Sequence, residues 1–389
     1  VSIALNPQQI TLAQNLTQFP EELYDVADTL EILDLSNNKL RALPCDFHRF
    51  KKLRILFLSN NQFTTFPSIL AACESLSMVG FKSNQITTID DNAFPSQLRW
   101  LILTHNKLQT LPNSLGKLPK LQKLMLAGNQ LRTLPDLSGC KNLELLRIAA
   151  NSLPELPATI AELKQLAWLA YAGNPFCKRL HVQTNLLREF DWSVLRLHEE
   201  LGSGASGRIW RARNHSMDNH LEEYAVKVFK GNITSDGYPE EEIHTWERVG
   251  THPHMVTVRG RITNHPDNSK GLVFDLMPRS FTHLGSPPSY ESCTRDTYAA
   301  DVSFTPTQVT KIISQLNAVV SHLHERGVLH GDIYAHNILR NTSDDIVLSD
   351  FGAASPYDTN DRRWAQVLVD IERRACTHLR DELNMRIAR

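Results

Sequence analysis

Through residue 176 the apolar positions recur in one frame, L-x-x-L-x-L-x-x-N-x-L, as in Leu30, Leu33, Leu35, Asn38 and Leu40, or Leu121, Leu124, Leu126, Asn129 and Leu131. Asparagines 15, 38, 61, 84, 106, 129, 151 and 174 are spaced by 23, 23, 23, 22, 23, 22 and 23 residues. Helical periodicity cannot hold that spacing, whereas one short strand and one turn per coil can. The L-x-L segment alternates, which predicts a strand with its leucines in a core and the residue between them pointing out. An asparagine after the strand can donate to and accept from the backbones of neighbouring coils, which leucine cannot do. Eight such coils stack into one continuous core with a parallel sheet on the concave side. A Leu-Pro or Phe-Pro pair closes most coils, for example Leu43-Pro44 and Phe66-Pro67; Ile89-Asp90 replaces it in the fourth, a change confined to the convex side. Asn174-Pro175-Phe176 breaks the frame and marks the exit.

The outward strand positions form two columns. One runs Ile32, Ile55, Met78, Trp100, Lys123, Leu145 and Trp168, the next Asp34, Phe57, Gly80, Ile102, Met125, Arg147 and Ala170. So many apolar side chains on an outer face predict either a protein-docking surface centred on Phe57, Trp100, Met125 and Trp168, or a face covered by the rest of the chain. Lys123 and Arg147 read as rim charges.

Residues 1–200 hold 40 leucines and residues 201–389 only 13, so the architecture changes near residue 190. Trp192 to Leu201 alternates as a strand into Gly202-Ser203-Gly204-Ala205-Ser206-Gly207, and Arg208 to Ala212 continues as a second strand. A strand, glycine turn and strand let backbone N–H groups close over phosphates. Twenty residues past Gly207, Lys227 sits inside the apolar run Tyr224 to Phe229. A buried ammonium needs anionic partners, and Glu242, at the expected start of a helix leading to His252-Pro253-His254, is the best placed. His330-Gly331-Asp332 and Asn337 precede Asp350-Phe351-Gly352, with 18 residues from Asp332 to Asp350.

The first half resembles the leucine-rich repeat family over about residues 5–176, and the second resembles a eukaryotic-type protein kinase domain, matching H-x-D-x-x-x-x-N and D-F-G at that family's spacing. The expected fold is thus an α/β leucine-rich-repeat horseshoe (1–177), a linker (178–191) and an α+β bilobal kinase-like domain (192–389) with a shortened C-lobe. Repeats of this family typically bind proteins through the concave face. The kinase resemblance implies ATP and Mg²⁺. Gly202, Gly204 and Gly207 would cover the nucleotide, with Ile209, Ala225 and Leu339 around the adenine. Phe274 would be the gatekeeper, and Asp275 and Met277 the hinge. Lys227, paired with Glu242, would hold the phosphates; Asp332 would take the acceptor's proton; Asn337 and Asp350 would hold the metal. Trp246, Val258, His330 and Phe351 would form the spine joining the lobes.

The resemblance fails at specific places. Gly331 stands where regulated kinases carry the Arg that reads a phosphorylated activation loop. Tyr334 and His336 occupy the positions where a Lys or Arg usually meets the γ-phosphate, and His336 could serve only if protonated. No A-P-E follows Asp350 before Glu372, taken here as the start of the central C-lobe helix. Three readings remain: a protein kinase whose repeats choose its partners, a nucleotide-binding scaffold with little turnover, and a small-molecule phosphotransferase, because His-Gly-Asp followed by Asn also resembles aminoglycoside and choline kinases. The glycine loop, Ala-Val-Lys and His-Pro-His favour a protein kinase.

Charge adds exclusions. Lys plus Arg total 41 against 42 Asp plus Glu, so no global field recruits nucleic acid. The sequence has neither a bilayer-length apolar run nor a secretion signal at its start. Six cysteines without close pairing fit reduced thiols and a cytoplasmic location.

Overall fold

The structure is a computed structural model that describes residues 8–180, 187–204, 206–214, 222–234 and 236–388. Residues 5–7 of the expected repeat span, 181–186 of the expected linker and Ala205 of the glycine loop lie outside the described residues. The chain divides into two compact units: Val1–Leu166 with Asn174–Phe176, and Ala167–Gly173 with Cys177–Arg389.

In the first unit the strands β1 (Gln9–Thr11), β2 (Ile32–Asp34), β3 (Ile55–Phe57), β4 (Met78–Gly80), β5 (Trp100–Ile102), β6 (Lys123–Met125) and β7 (Leu145–Arg147) pair in parallel, each with the next. Register follows the repeat, with Ile32 opposite Ile55, Ile55 opposite Met78 and Met78 opposite Trp100. The frame leucines between the outward columns, such as Leu33, Leu56, Leu101 and Leu124, are completely buried.

Each buried asparagine stitches its own coil to the coil before. Asn106 Nδ2 donates to Leu103 O of its own coil at 3.0 Å and to Phe81 O of the coil before at 2.9 Å, while its Oδ1 accepts from Ile86 N at 3.0 Å. Asn129 Nδ2 repeats the pattern on Leu103 O and Leu126 O, so Leu103 O and its successors each serve two coils. Before each asparagine from 38 to 174 the backbone is left-handed: Asn37, Asn60, Ser83, His105, Gly128, Ala150 and Gly173 all have φ between 51° and 76°. The turn therefore lives in the position before the asparagine. Asn15, counted in the period, instead lies exposed and itself takes the left-handed conformation, with φ 57°.

The concave face is narrower than the sequence suggests. Phe57, Trp100, Ile102 and Met125 are half-buried, whereas Ile55, Met78 and Leu145 are buried. The Phe57 ring would sit 2.7 Å from any Cβ at residue 80, which explains a glycine in that column. Lys123 and Arg147 are buried rather than rim charges; the Lys123 ammonium lies 4.4 Å over the Trp100 ring, a favourable cation–π geometry. The eighth repeat strand, β8 (Trp168–Ala170), belongs to the second unit, and all three of its residues are buried there. Trp168 is therefore not available to a docking partner.

After β8 the second unit continues with β9 (Arg188–Asp191), a strand within the segment expected to be a linker. It is followed by β10 (Leu195–Ser203), β11 (Gly207–Asn214), β12 (Glu222–Phe229), helix α1 (Pro239–Val249), β13 (Val258–Thr263) and β14 (Gly271–Asp275). The sheet runs β10-β11-β12-β14-β13-β9, antiparallel except for the last pair. Phe190 explains β9: it is buried in a cluster with Tyr224, Val226, Ile262 and Val273, and Gly260 leaves room for the ring. Burial of such a ring contributes about 1.5–3 kcal/mol. Helix α1 begins at Pro239, three residues before the expected start, because proline suits the first turn.

The remaining elements are β15 (Thr282–His283), α2 (Pro306–Glu325), β16 (Val328–Leu329), β17 (Ile338–Arg340), β18 (Ile346–Leu348), β19 (Ser355–Pro356) and α3 (Ala365–Asn384). Thr305 and Gln308 cap α2 reciprocally. Helix α3 starts at Ala365, not at Glu372; Leu368, Ile371, Ala375, Leu379 and Leu383 form one continuous buried stripe, which puts Glu372 mid-helix.

Replacing Asn106 by Ala should cost about 1–3 kcal/mol, since it strands the Ile86 amide in the core and leaves the Phe81 and Leu103 carbonyls with only the Asn84 and Asn129 amides, respectively. Urea denaturation of the chain would show a lower midpoint for the repeat transition; an unchanged midpoint would rule out the ladder as a source of stability.

Candidate active site

Successive side chains of β12 point to opposite faces, and both are covered: Val226 packs in the Phe190 cluster, and Lys227, 5% exposed, faces the other way. Its Nζ donates to both Glu242 carboxylate oxygens at 2.8 Å and to Asp350 Oδ1 at 3.2 Å. Glu242 reaches it from α1 and is 3% exposed. Burial works against charge on Lys227, but the Asp350 and Glu242 carboxylates outweigh it and raise its pKa. Asp350 is held below its ordinary value, chiefly by the Lys227 charge. Burial pushes Glu242 up, with Lys227 pulling the other way.

The second cluster surrounds Asp332. Asn337 Nδ2 donates to Asp332 O at 3.0 Å and to Asp332 Oδ2 at 2.9 Å. With that amide committed, Oδ1 is the atom Asn337 can offer to a cation. His330 is fully buried, which lowers its pKa and keeps the imidazole neutral. It therefore donates from Nε2 to Ser349 O at 3.0 Å and accepts from Asp332 N at Nδ1, 3.3 Å away.

Three of the four expected spine residues form a continuous stack: Trp246 lies 4.2 Å from Phe351, and Phe351 lies 4.6 Å from His330, centroid to centroid. Phe274 joins it edge-on to Trp246 at 5.4 Å, and Val258 lies opposite Phe274 in the sheet. Thus α1, β14, the segment before β17 and the segment after β18 are tied together beside Lys227.

Gly204 N donates to Gly207 O at 3.0 Å, closing the turn between β10 and β11. A Cβ at Gly202 or Gly204 would meet nothing within 4 Å, so these glycines leave open space above the turn; one at Gly207 would meet Val228 O at 2.7 Å. Ile209 is opposite Lys227 in register and 36% exposed, a large apolar residue left facing solvent. Ala225 is opposite Phe274, Leu339 lies on β17, and all three are open enough to meet a flat apolar ligand. Asp275 ends β14 and Met277 lies two residues beyond it; the Asp275 amide donates to Thr257 O at 3.0 Å and its carboxylate pairs with Arg259.

At the two positions that usually carry a cation, Tyr334 is buried and His336 is ion-paired. His336 Nδ1 lies 2.7 Å from Asp296 Oδ1, and its backbone N donates to Asp296 Oδ2 at 3.1 Å. Burial opposes charge on this ring, but the Asp296 contact prevails and raises its pKa. Sequence reasoning did not single out Asp296 or the contact of Glu372 Oε1 with the Gly331 N–H, and it placed Trp168 on the docking face rather than against Ile333 and Tyr334 of the catalytic loop. Asp296 lies in an irregular segment with no periodic signal, whereas the apolar stripe of α3 could have marked Glu372 as a helix-interior carboxylate.

A sequence profile of the protein kinase domain matches residues 195–373, and leucine-rich-repeat profiles match residues 28–71 and 74–131. The chain carries leucine-rich repeats followed by a protein kinase domain. It is similar to cyclin-dependent kinase C-2 C of Arabidopsis thaliana, 30% identical over 157 residues, which are 40% of this chain and 22% of that one. It is also similar to a probable serine/threonine-protein kinase of the same plant, 26% identical over 165 residues, 42% of this chain and 21% of that one. The chain thus spans about a fifth of the length of these curated relatives. A solved leucine-rich-repeat protein of Leptospira interrogans is 29% identical, with a TM-score of 0.39, over 41% of this chain and 47% of that one. Among the described residues, no helix is long and apolar enough to cross a membrane.

The kinase domain implies ATP as substrate and usually Mg²⁺. Asn337 and Asp350 fit that ion: one amide oxygen and one carboxylate are hard donors, few enough for phosphate oxygens and water to complete an octahedron.

Lys227→Met leaves Glu242 buried beside no ammonium and should destabilise the kinase domain by about 3 kcal/mol. The lone Glu242, its folded pKa raised further, binds a proton more readily folded than unfolded. Stability of this variant should therefore climb as pH falls through the raised Glu242 pKa towards the ordinary carboxylate range. Adding Glu242→Gln should recover part of the loss and flatten that dependence. A flat profile for Lys227→Met alone would contradict the buried pairing.

Proposed function

We propose that this chain is an active ATP-dependent protein kinase, most suited to Ser/Thr acceptors, whose repeats dock a protein partner or substrate. The observation that carries the reading is the closed Lys227–Glu242 pair, with Asp350 on the same ammonium and the Asp332–Asn337 pair joined to it through the His330–Phe351–Trp246 stack. Phosphoryl transfer is mostly positioning and charge neutralisation, and this arrangement supplies both.

In this reading the backbone of Gly202, Gly204 and Gly207 closes over ATP, with Ile209, Ala225 and Leu339 against the adenine and Asp275 and Met277 along its polar edge. Lys227 binds the α- and β-phosphates. Mg²⁺ held by Asn337 and Asp350 would neutralise the β- and γ-phosphates. Asp332 orients the acceptor hydroxyl and takes its proton as the oxygen–γ-phosphorus bond forms and the bond from γ-phosphorus to the β–γ bridging oxygen breaks, releasing ADP. His336, whose pKa the Asp296 contact raises, stands in for the usual γ-phosphate cation in its protonated form.

The repeats, by likeness to their family, support a docking role. The half-buried Phe57, Trp100 and Met125 are the candidates on the concave face, with Trp100 oriented by Lys123 and by a 3.4 Å contact from its indole N–H to Met125 Sδ. Six free thiols fit a reducing cytoplasm.

Asp332→Asn should lower transfer of labelled phosphate from ATP to a generic protein acceptor by about 10²–10⁴-fold. The thermal shift produced by Mg-ATP should persist, because Asp332 meets the acceptor rather than the nucleotide. Wild type and variant equally inactive, with the shift intact in both, would favour the scaffold reading; transfer to small alcohols but no protein would favour the small-molecule one. Separately, Phe57→Ala with Trp100→Ala should weaken capture of a phosphorylated protein substrate by roughly tenfold and leave transfer to a short generic peptide unchanged. Unaltered capture would remove the concave face from the mechanism.

A further inference from the structure

The strand produced by the repeat period, β8, makes its contacts with the catalytic loop. Trp168 Nε1 donates to Ile333 O at 2.9 Å, one residue past Asp332. The indole stacks on Tyr334 with centroids 4.5 Å apart and planes 5° from parallel. Arg295 and His378 pack against the same indole, so the ring is wedged in place. Tyr334 in turn lies 5.0 Å from the His336 ring, next to Asn337.

Two further ties involve residues 331 and 355. Gly331 has φ 73°, and a Cβ there would lie 2.7 Å from both Leu169 O and Ala353 O; its N–H donates to Glu372 Oε1 at 2.8 Å. No side chain, and certainly no arginine, fits at 331 while Leu169 holds this place. Beyond the D-F-G segment, Ser355 Oγ accepts from Tyr171 N at 2.9 Å and Ala172 N at 3.2 Å, and Tyr171 Oη donates to Pro356 O at 3.1 Å. Trp168 and Tyr171 are each 1% exposed, and Ser355 is fully buried.

We propose that Trp168, Leu169 and Tyr171 form a permanent brace that positions the catalytic loop and the segment after Asp350 for phosphoryl transfer. The brace replaces the contact that an arginine before the catalytic aspartate makes with a phosphorylated loop, and it makes the kinase domain dependent on its last repeat strand. Trp168 is a positioning residue: it touches loop backbone and Tyr334. Its effect on turnover rests on the kinase reading above; its effect on loop order does not.

The test uses the full chain with Trp168→Ala and Trp168→Phe, the second keeping an aromatic face but losing the indole donor. Backbone hydrogen–deuterium exchange of residues 330–337 without nucleotide should accelerate at least tenfold in Trp168→Ala and less in Trp168→Phe, with residues 30–130 unchanged. Misplacing catalytic groups by about 1 Å can cost on the order of a hundredfold, so kcat should fall by roughly ten- to a hundredfold. The KM for ATP should stay within about twofold, and Trp168→Phe should rescue part of the loss, as a purely positional effect requires. Should Trp168→Ala not fold, Trp168→Phe and Ser355→Ala carry the same readouts. Unchanged loop exchange in a folded variant overturns the brace, as does a fall in kcat matched only by a smaller folded fraction. A wild-type chain that transfers no phosphate overturns the kinase reading and the positional role, while the exchange experiment still shows whether the loop is braced.

Discussion

A buried ammonium is the constraint on which the kinase domain depends. Lys227 sits inside an apolar strand, and removing its charge from water is costly unless carboxylates come to it. Glu242 and Asp350 do so from a helix and from a segment more than a hundred residues further along the chain, and each must be held in place to stay there. The aromatic stack from Phe274 through Trp246 and Phe351 to His330 provides that support, and His330 passes it to the Asp332 backbone. Electrostatic demand at one atom thereby specifies the relative placement of four elements.

The repeats solve a similar problem by different means. Their turns bury backbone carbonyls that no strand partner reaches, and asparagine amides satisfy them coil by coil, each serving its own coil and the coil before. Left-handed residues just before the asparagines supply the sharp turn, and side chains as different as Ser83, His105 and Ala150 accept that conformation, so it is imposed by the stack rather than by local preference.

Departures from the kinase pattern become intelligible together. Gly331 is glycine because Leu169 and Ala353 carbonyls leave no room and the backbone is left-handed. Tyr334 is aromatic because it stacks on Trp168, and His336 can carry charge because Asp296 faces it. Three substitutions that look like separate losses in the sequence have neighbouring structural partners.

Periodicity and spacing were sufficient for the larger outline. A 22–23 residue asparagine period admits one kind of coil, and a lone lysine in an apolar strand demands a carboxylate, so the parallel sheet and the Lys227–Glu242 pair could be read from residue types alone, whereas Asp332, Asn337 and Asp350 took their roles from the resemblance to protein kinases. Contacts between residues far apart in sequence could not be read in either way. Trp168 occupies a position that reads as outward-facing in the repeat frame, yet its indole is enclosed by Ile333, Tyr334, Arg295 and His378. Arg188 to Asp191 looked like a linker because an edge strand of four residues needs no more pattern than Phe190 to join a core. Asp296 and Glu372 gain meaning only from His336 and Gly331, which the fold brings to them across 40 and 41 residues. A repeating pattern declares which face is buried against its own neighbours; which outward face is covered by something else depends on surfaces that meet only after folding.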